Sequence, residues 1–126
     1  MEPLTIAMEH YLETVYELSL DEGGCRVSDI AARLEVSKAS VNNAMNVLSA
    51  RGLVENEKYR EIRLTPAGQR MAELLGHKHA ILQSLLSDVM GVPQEQAFED
   101  ACAIEHVISA QSVAAIQAFL AGREGD

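Results

Sequence analysis

Three residues near the carboxyl end of the chain have side chains that bind metal ions, and their spacing brings them together. Cys102, Glu105 and His106 stand at positions i, i+3 and i+4. At about 100° per residue, this spacing puts the thiol, the carboxylate and the imidazole on one face of a helix. Taken alone, two of them have an ordinary interpretation: Cys102 is a small buried hydrophobic residue, and His106 is a hydrogen-bonded surface or core residue.

Three further candidate ligands lie elsewhere in the chain. His10 and Glu13 repeat the i, i+3 spacing on the first predicted helix, and His79 lies at the edge of the apolar stripe of a long predicted helix. Taken alone, His10 and Glu13 would form a solvated face, and His79 would be a hydrogen-bonded residue. With the carboxyl-terminal triplet, they supply nitrogen, oxygen and sulfur donors that suit a divalent transition metal.

The composition limits the kind of protein that carries these residues. The chain has 126 residues, 48% of them hydrophobic, which is typical of one folded domain or two small ones. Aromatic residues make up only 4%, so we expect no stacking surface for single-stranded nucleic acid. No apolar run approaches the roughly 20 residues of a membrane span, and the first residues lack the basic region of a signal peptide. Two cysteines form no disulfide framework, and we expect a cytoplasmic protein.

The formal net charge of −9 is unevenly distributed along the chain. Residues 1–25 carry six acidic side chains and no Lys or Arg, and residues 71–126 carry eight acidic and two basic ones. Residues 26–70, by contrast, carry eight basic and five acidic side chains. This central block is suited to contact phosphate groups, although ordinary surface charge would account for the same distribution.

Hydrophobic spacing predicts the elements that position the candidate ligands. We predict a helix over residues 4–20, then a short helix over 28–34 with Ser28 as its N-cap, a tight turn, and a helix over 38–50. Residues 53–64 change to the pattern of a β-hairpin. A long helix capped by Thr65 is predicted to run to about Met90, followed by helices from Pro93 to about Val107 and after Ser109. The predicted fold class is therefore mostly α with a small β-hairpin.

Two helices joined by a short turn and followed at once by a basic hairpin form the pattern of a winged helix-turn-helix. The second helix is narrow enough for the major groove, where Asn and Ser bond base edges or phosphate, while basic residues of the hairpin clamp the flanking backbone. Such geometry also occurs without DNA binding, and the basic side chains would then be solvated. The predicted DNA-binding residues are Ser37, Lys38, Ala39, Ser40, Asn42, Asn43, Lys58, Tyr59 and Arg60.

Several segments, in their order along the chain, also carry a family resemblance. They are MEHYLETVYEL at 8–18, RVSDIA at 26–31 with VSKASV at 36–41, EKYR at 57–60 leading into RLTPAG at 63–68, and IEHV at 104–107. These segments resemble the diphtheria toxin repressor family, the metal-dependent transcriptional regulators of iron and manganese. The match extends over about residues 4–120.

The resemblance implies a winged helix-turn-helix DNA-binding domain at about residues 1–70 and a helical dimerisation and metal-binding domain at about 71–126. It implies a homodimer that binds palindromic, double-stranded operator DNA when metal is present, and it implies a regulator rather than an enzyme. The metal-ligand positions of the family fall on His10, Glu13, His79, Cys102, Glu105 and His106.

The chain departs from the family pattern at several of these positions. Position 10, usually Met in the iron branch and Asp in the manganese branch, is His, whereas Cys102 matches the iron branch. The second metal site of the iron branch uses Glu and His where this chain has Gln83 and Phe98. As an alternative to that site, Glu13 and His79 join a cluster of two metal ions. A thiolate with two or three imidazoles is softer than the oxygen-rich set that suits Mn²⁺. We therefore predict Fe²⁺, with Mn²⁺ as the alternative and Co²⁺, Ni²⁺ or Zn²⁺ as tight binders in vitro.

In the predicted mechanism, the metal joins the first helix to the carboxyl-terminal helices. The two recognition helices of the dimer are then held about 34 Å apart, one turn of DNA. Two other hypotheses stay open. A winged-helix regulator that senses a small organic ligand would have an apolar pocket and no response to metal, and a small metallohydrolase would keep an open coordination position on the metal.

Overall fold

The structure is a computed structural model that describes residues 4–20 and 23–124 of the chain. Six helices and one antiparallel pair of strands are present in this part of the chain, together with a five-residue π-helical segment that directly follows the fourth helix. The predicted fold class, mostly α with a small β-hairpin, is confirmed. The helices are α1 (Ile6–Leu18), α2 (Val27–Leu34), α3 (Lys38–Ala50), α4 (Pro66–Ser84), α5 (Gln94–Ile104) and α6 (Ala110–Glu124); the strands are β1 (Val54–Glu55) and β2 (Arg63–Leu64); and the π-helical segment is Leu85–Val89.

The chain divides into two compact units, residues 1–73 and residues 74–126, and the division falls within α4. The first unit contains α1, α2, α3, the hairpin and the beginning of α4. Its core is formed by apolar side chains of the three helices together with side chains from the hairpin and from α4. The large side chains buried most completely in this core are Leu12, Val15, Ile30, Val41, Met45, Leu48 and Ile62.

The helix-turn-helix of the first unit is built from local signals. α2 ends at Leu34 and is followed by Glu35, which adopts a left-handed conformation with φ of 56°, and α3 begins after Ser37. The Ser37 hydroxyl accepts a hydrogen bond from the backbone N–H of Ser40 at 3.1 Å, which caps the helix. The prediction that Ser28 caps α2 is wrong. The N-cap is Arg26, two residues earlier, because the Asp29 carboxylate accepts a hydrogen bond from the backbone N–H of Arg26 at 3.3 Å and stabilises that earlier start.

The hairpin pairs Val54 with Leu64 and is extended by a separate bridge between Cys25 and Ile62. The bridge has two backbone hydrogen bonds, of 2.9 and 2.8 Å. It was not predicted, because Cys25 lies far from the hairpin in sequence. Burial is the main cause that raises the pKa of the Cys25 thiol above its ordinary value of 9.0. Cys25 thus has a structural place in the core, beside the hairpin.

The second unit contains the rest of α4, the π-helical segment, α5 and α6. The long helix, α4, was predicted to run to about Met90. Its regular α-helix ends at Ser84, and the π-helical segment continues the helical backbone to Val89. The prediction for α5 was also too long, since it ends at Ile104 rather than near Val107. Ser109 caps α6 as predicted, because its hydroxyl accepts a hydrogen bond from the backbone N–H of Ser112 at 3.1 Å. None of the described helices has the length and apolarity that a membrane crossing requires.

Candidate metal centre

Four of the six candidate ligands lie in the second unit, on two helices and the turn after the second of them. His79 projects from α4, and Cys102 lies in the last turn of α5. Glu105 is the first residue after α5 and keeps right-handed helical angles, with φ of −56° and ψ of −27°. The helical spacing of the carboxyl-terminal triplet therefore extends past the end of the helix into the turn that contains His106.

Three donor atoms meet at this point. The Nδ1 atom of His79 lies 3.6 Å from the Sγ atom of Cys102 and 3.7 Å from the Oε2 atom of Glu105. All three donor atoms lie within 4.8 Å of one another. With metal–nitrogen and metal–sulfur bonds of about 2.0–2.3 Å, neighbouring ligands of a tetrahedral ion are roughly 3.5 Å apart. The donors thus fit a divalent cation of this size with small movements of the side chains.

Glu105 lies at the middle of a wider cluster. One carboxylate oxygen faces His79, and the other lies 3.4 Å from the Nε2 atom of His106. The side chains of Glu105 and His106 are only 3% and 1% exposed. Burial of a charged carboxylate costs free energy unless positive charge or hydrogen bonds compensate it. A cation bound by both the carboxylate oxygens and the imidazole nitrogens would supply this compensation. The structure therefore brings four of the six predicted ligands together in one unit.

The other two predicted ligands, His10 and Glu13, lie on α1 in the first unit. His10 is exposed, and Glu13 is partly buried. They are one helical turn apart, and the backbone carbonyl of His10 accepts a hydrogen bond from the Thr14 hydroxyl at 2.9 Å. Their role as ligands is carried by the sequence resemblance and stays a prediction.

Two residues at which the chain departs from the family pattern contact His79. The Oε1 atom of Gln83 lies 3.0 Å from the Nε2 atom of His79. The ring of Phe98 meets the imidazole edge-on, with centroids 4.8 Å apart and an angle of 69° between the planes. The i, i+4 spacing of His79 and Gln83 was a usable signal for their contact, whereas nothing local indicated Phe98.

The predicted DNA-binding residues all lie on the surface of the first unit. Those at the start of α3 are exposed, as are those at the tip of the hairpin, where Tyr59 is 95% exposed. Arg60 is partly neutralised by Glu57, whose carboxylate lies 3.4 Å away. All of them stay predictions as contact residues. The positions are Ser37, Lys38, Ala39, Ser40, Asn42, Asn43, Lys58, Tyr59 and Arg60.

An open groove of about 610 Å³ runs between the helix-turn-helix and the hairpin. Asn42 of α3 lines it together with hairpin residues 56–62 and with Arg26, which the sequence analysis did not propose as a contact residue. A hydrogen bond of 3.1 Å from Asn56 to Asn46 ties the hairpin to α3 at the same side. This bond limits how far the hairpin can move relative to the recognition helix.

Comparisons with known proteins match both units. The family described as iron dependent repressor, N-terminal DNA binding domain, matches residues 3–62, and the one described as iron dependent repressor, metal binding and dimerisation domain, matches residues 65–126. The HTH-type transcriptional regulator MntR of Lysinibacillus sphaericus is 37% identical over 109 residues, which are 86% of this chain and 78% of that protein.

Solved structures agree with this match. IdeR of T. acidophilum superposes with a TM-score of 0.77 at 30% identity, over 96% of this chain and 56% of that one. The manganese regulator SloR superposes with a TM-score of 0.77 at 29% identity, over 95% of this chain and 54% of that one. The chain thus spans slightly more than half the length of these two proteins.

Proposed function

The chain belongs to the iron-dependent repressor family, and we propose that it is a cytoplasmic, metal-dependent transcriptional repressor that binds double-stranded operator DNA as a homodimer. The observation that carries the proposal is the meeting of His79, Cys102 and Glu105 at distances that suit one cation. The proposed DNA-binding domain is residues 1–70, and the proposed dimerisation and metal-binding domain is residues 71–126.

The proposed ligands act as donors in defined protonation states. The Cys102 thiol must lose its proton, and the imidazoles of His79 and His106 must be neutral, so metal affinity weakens in acid. Glu105 offers one oxygen toward each imidazole. A bound cation would supply the positive charge that compensates the buried carboxylate. His10 and Glu13 complete the proposed ligand set on the basis of the family resemblance.

We propose Fe²⁺ as the physiological metal and Mn²⁺ as the alternative. Thiolate and imidazole donors favour Fe²⁺ over Mn²⁺, which prefers oxygen-rich sites. The relative SloR, a manganese regulator, supports the alternative. Affinity in vitro does not decide between them, because Co²⁺, Ni²⁺ and Zn²⁺ bind such donors more tightly than either ion by the general order of divalent metals. Transcript levels of the regulated genes in iron-starved and manganese-starved cells distinguish the two ions.

The proposed contact with DNA uses the exposed start of α3 and the hairpin tip. α3 enters the major groove with Asn42 and Asn43 toward base edges, and Lys58 and Arg60 contact the flanking phosphates. A regulator that senses an organic ligand would need an apolar pocket. The groove between the helix-turn-helix and the hairpin is open and is lined mainly by polar side chains such as Arg26 and Asn56, which suits contact with DNA rather than with an apolar ligand.

A selection experiment tests the proposal without knowledge of the operator. A random duplex DNA library is selected on the protein with Fe²⁺ under anaerobic conditions, with Mn²⁺, and with chelator, at one salt concentration. We expect enrichment of a palindrome only when metal is present. His79→Ala should abolish the metal effect, whereas His77→Ala, an exposed position on the same helix, should retain it. Equal enrichment with chelator and with metal would refute metal dependence.

A further inference from the structure

We infer that Gln83 is a positioning residue that selects which ring nitrogen of His79 faces the metal centre. The inference rests on the proposed function, in which His79 is a ligand. A neutral imidazole has one nitrogen that carries a proton and one that has a lone pair, and only the lone pair binds metal. The side chain that contacts the outer nitrogen therefore decides whether the inner nitrogen is a donor to the metal.

The hydrogen bond between these two residues determines the tautomer. The Nε2 atom of His79 lies 3.0 Å from the Oε1 atom of Gln83. An amide oxygen has no hydrogen to donate, so the proton of this bond belongs to Nε2 of the imidazole. The lone pair is consequently on Nδ1, which is the atom that faces Cys102 and Glu105 at 3.6 and 3.7 Å.

The amide of Gln83 is itself held in this orientation from α5. Its Nε2 atom donates a hydrogen bond to the Oε1 atom of Gln94 at 3.3 Å, so that the oxygen remains directed at His79. The backbone carbonyl of Gln83 accepts a further hydrogen bond of 2.8 Å from the Ser87 hydroxyl at the π-helical segment. Hydrogen bonds thus hold both the side-chain amide and the backbone carbonyl of Gln83.

Phe98 restricts the orientation of the imidazole plane. Its ring meets the His79 ring at 69° with centroids 4.8 Å apart, which opposes rotation of the imidazole about its own side-chain bond. Gln83 therefore determines the tautomer and Phe98 determines the plane. Such outer hydrogen bonds also raise the basicity of a ligating nitrogen, and their loss typically weakens metal binding by about 10–100-fold.

The first test reads the tautomer directly in the metal-free protein. Nitrogen-15 NMR is recorded in alkaline buffer, where a histidine side chain is neutral. We expect His79 to show the Nε2–H tautomer. Gln83→Met, which removes the acceptor, should give a mixture of tautomers, and Gln83→Glu, which keeps an acceptor, should restore Nε2–H. Gln96→Met is the matched control, because Gln96 makes a similar bond to Asp100 at 3.0 Å on α5.

The second test measures affinity with Co²⁺ as the probe, through its visible absorption bands. Gln83→Met should weaken Co²⁺ binding by about 10–100-fold, while Gln96→Met retains it; Gln83→Glu is judged by the tautomer alone, because a carboxylate at this position can itself bind Co²⁺. Thermal unfolding and the dispersion of the NMR spectrum establish that each variant is folded, and Gln83→Glu tests the acceptor even if Gln83→Met unfolds.

The outcomes separate this inference from the proposed function. An unchanged tautomer in folded Gln83→Met refutes the inference, as does a mixed or Nδ1–H tautomer in the wild-type protein or a changed tautomer with undiminished Co²⁺ affinity. Failure of the wild-type protein to bind Co²⁺ refutes the metal centre instead. The tautomer measurement still decides the role of Gln83 in that case, because it requires no metal.

Discussion

Replacement of Gly68 by Ala is expected to destabilise the first unit, because the base of the hairpin leaves no room for a Cβ atom. Gly68 is buried near the start of α4. A Cβ atom placed there would overlap the carbonyl oxygen of Leu53 and lie 2.9 Å from its carbonyl carbon and 3.2 Å from Cδ2 of Leu64. The Leu53 carbonyl is held by a hydrogen bond from the backbone N–H of Thr65 at 3.1 Å, and Leu64 is paired with Val54.

The size of the effect follows from which atoms must move. Overpacking of side chains costs roughly 1–3 kcal/mol, and a clash with backbone lies at the upper end of this range. Loss of the Thr65–Leu53 hydrogen bond adds about 1 kcal/mol. The higher helix propensity of Ala compared with Gly offsets about 1 kcal/mol of this loss in stability. We therefore expect the free energy of unfolding to fall by about 2–3 kcal/mol, which lowers the Tm by at least roughly 8 °C in a unit of this size.

Urea denaturation followed by circular dichroism measures this change, and the same helix offers a matched control. Gly76 is exposed, and a Cβ atom there would have no neighbour within 4 Å among the described residues. Gly76→Ala should therefore raise the free energy of unfolding by about 0.5–1 kcal/mol. If Gly68→Ala also stabilises the protein, the close approach of α4 to Leu53 is not as described. Because the clash lies at the hairpin base, Gly68→Ala should also weaken operator binding.

Three further predictions concern the cysteines and the hairpin. Metal should protect Cys102 from alkylation, whereas Cys25 should react slowly with or without metal because burial raises its pKa; equal rates for the two thiols in the metal-free protein would contradict this. Since the folded pKa of Cys25 lies above 9.0, its contribution to stability is present below that pH and is lost as the pH rises through the folded value. The urea midpoint should accordingly fall in alkali, and Cys25→Ala should reduce the fall. Lys58→Ala should reduce the magnitude of the slope of log affinity against log salt by about 1.8, because each protomer of the proposed homodimer loses one phosphate contact, without changing the selected DNA sequence, and an unchanged slope would place Lys58 off the phosphates.

The elements of the first unit could be predicted because their signals are local. Ser37 caps α3, Thr65 caps α4 and a glycine with φ of 74° follows α3 at position 52, each within one turn of the element that it ends or begins. The predicted start of α2 was wrong for an equally physical reason. The Asp29 carboxylate, one turn after Arg26, stabilises an earlier start of the helix. Ser28 was predicted as the cap only because serine is a residue type that favours caps.

The candidate site was only partly visible in the sequence. The spacing of Cys102, Glu105 and His106 on one helical face follows from the helical repeat, and the structure retains it although α5 ends at Ile104. The contact of Cys102 with His79 joins residues 23 positions apart. No periodicity specifies such a contact; His79 was a candidate ligand by its side-chain type and its place on the long helix, and the family resemblance then assigned it a ligand position.

The sequence by itself determined the identity of the donor atoms and their spacing along the chain, because side-chain chemistry and helical periodicity are properties of short segments. Only the tertiary structure decided which donor atoms meet and what surrounds them. The roles of Gln83 and Phe98 are of this second kind. They depend on how α5 lies beside the end of α4, since packing between elements sets whether an amide or a ring comes within reach of one particular imidazole.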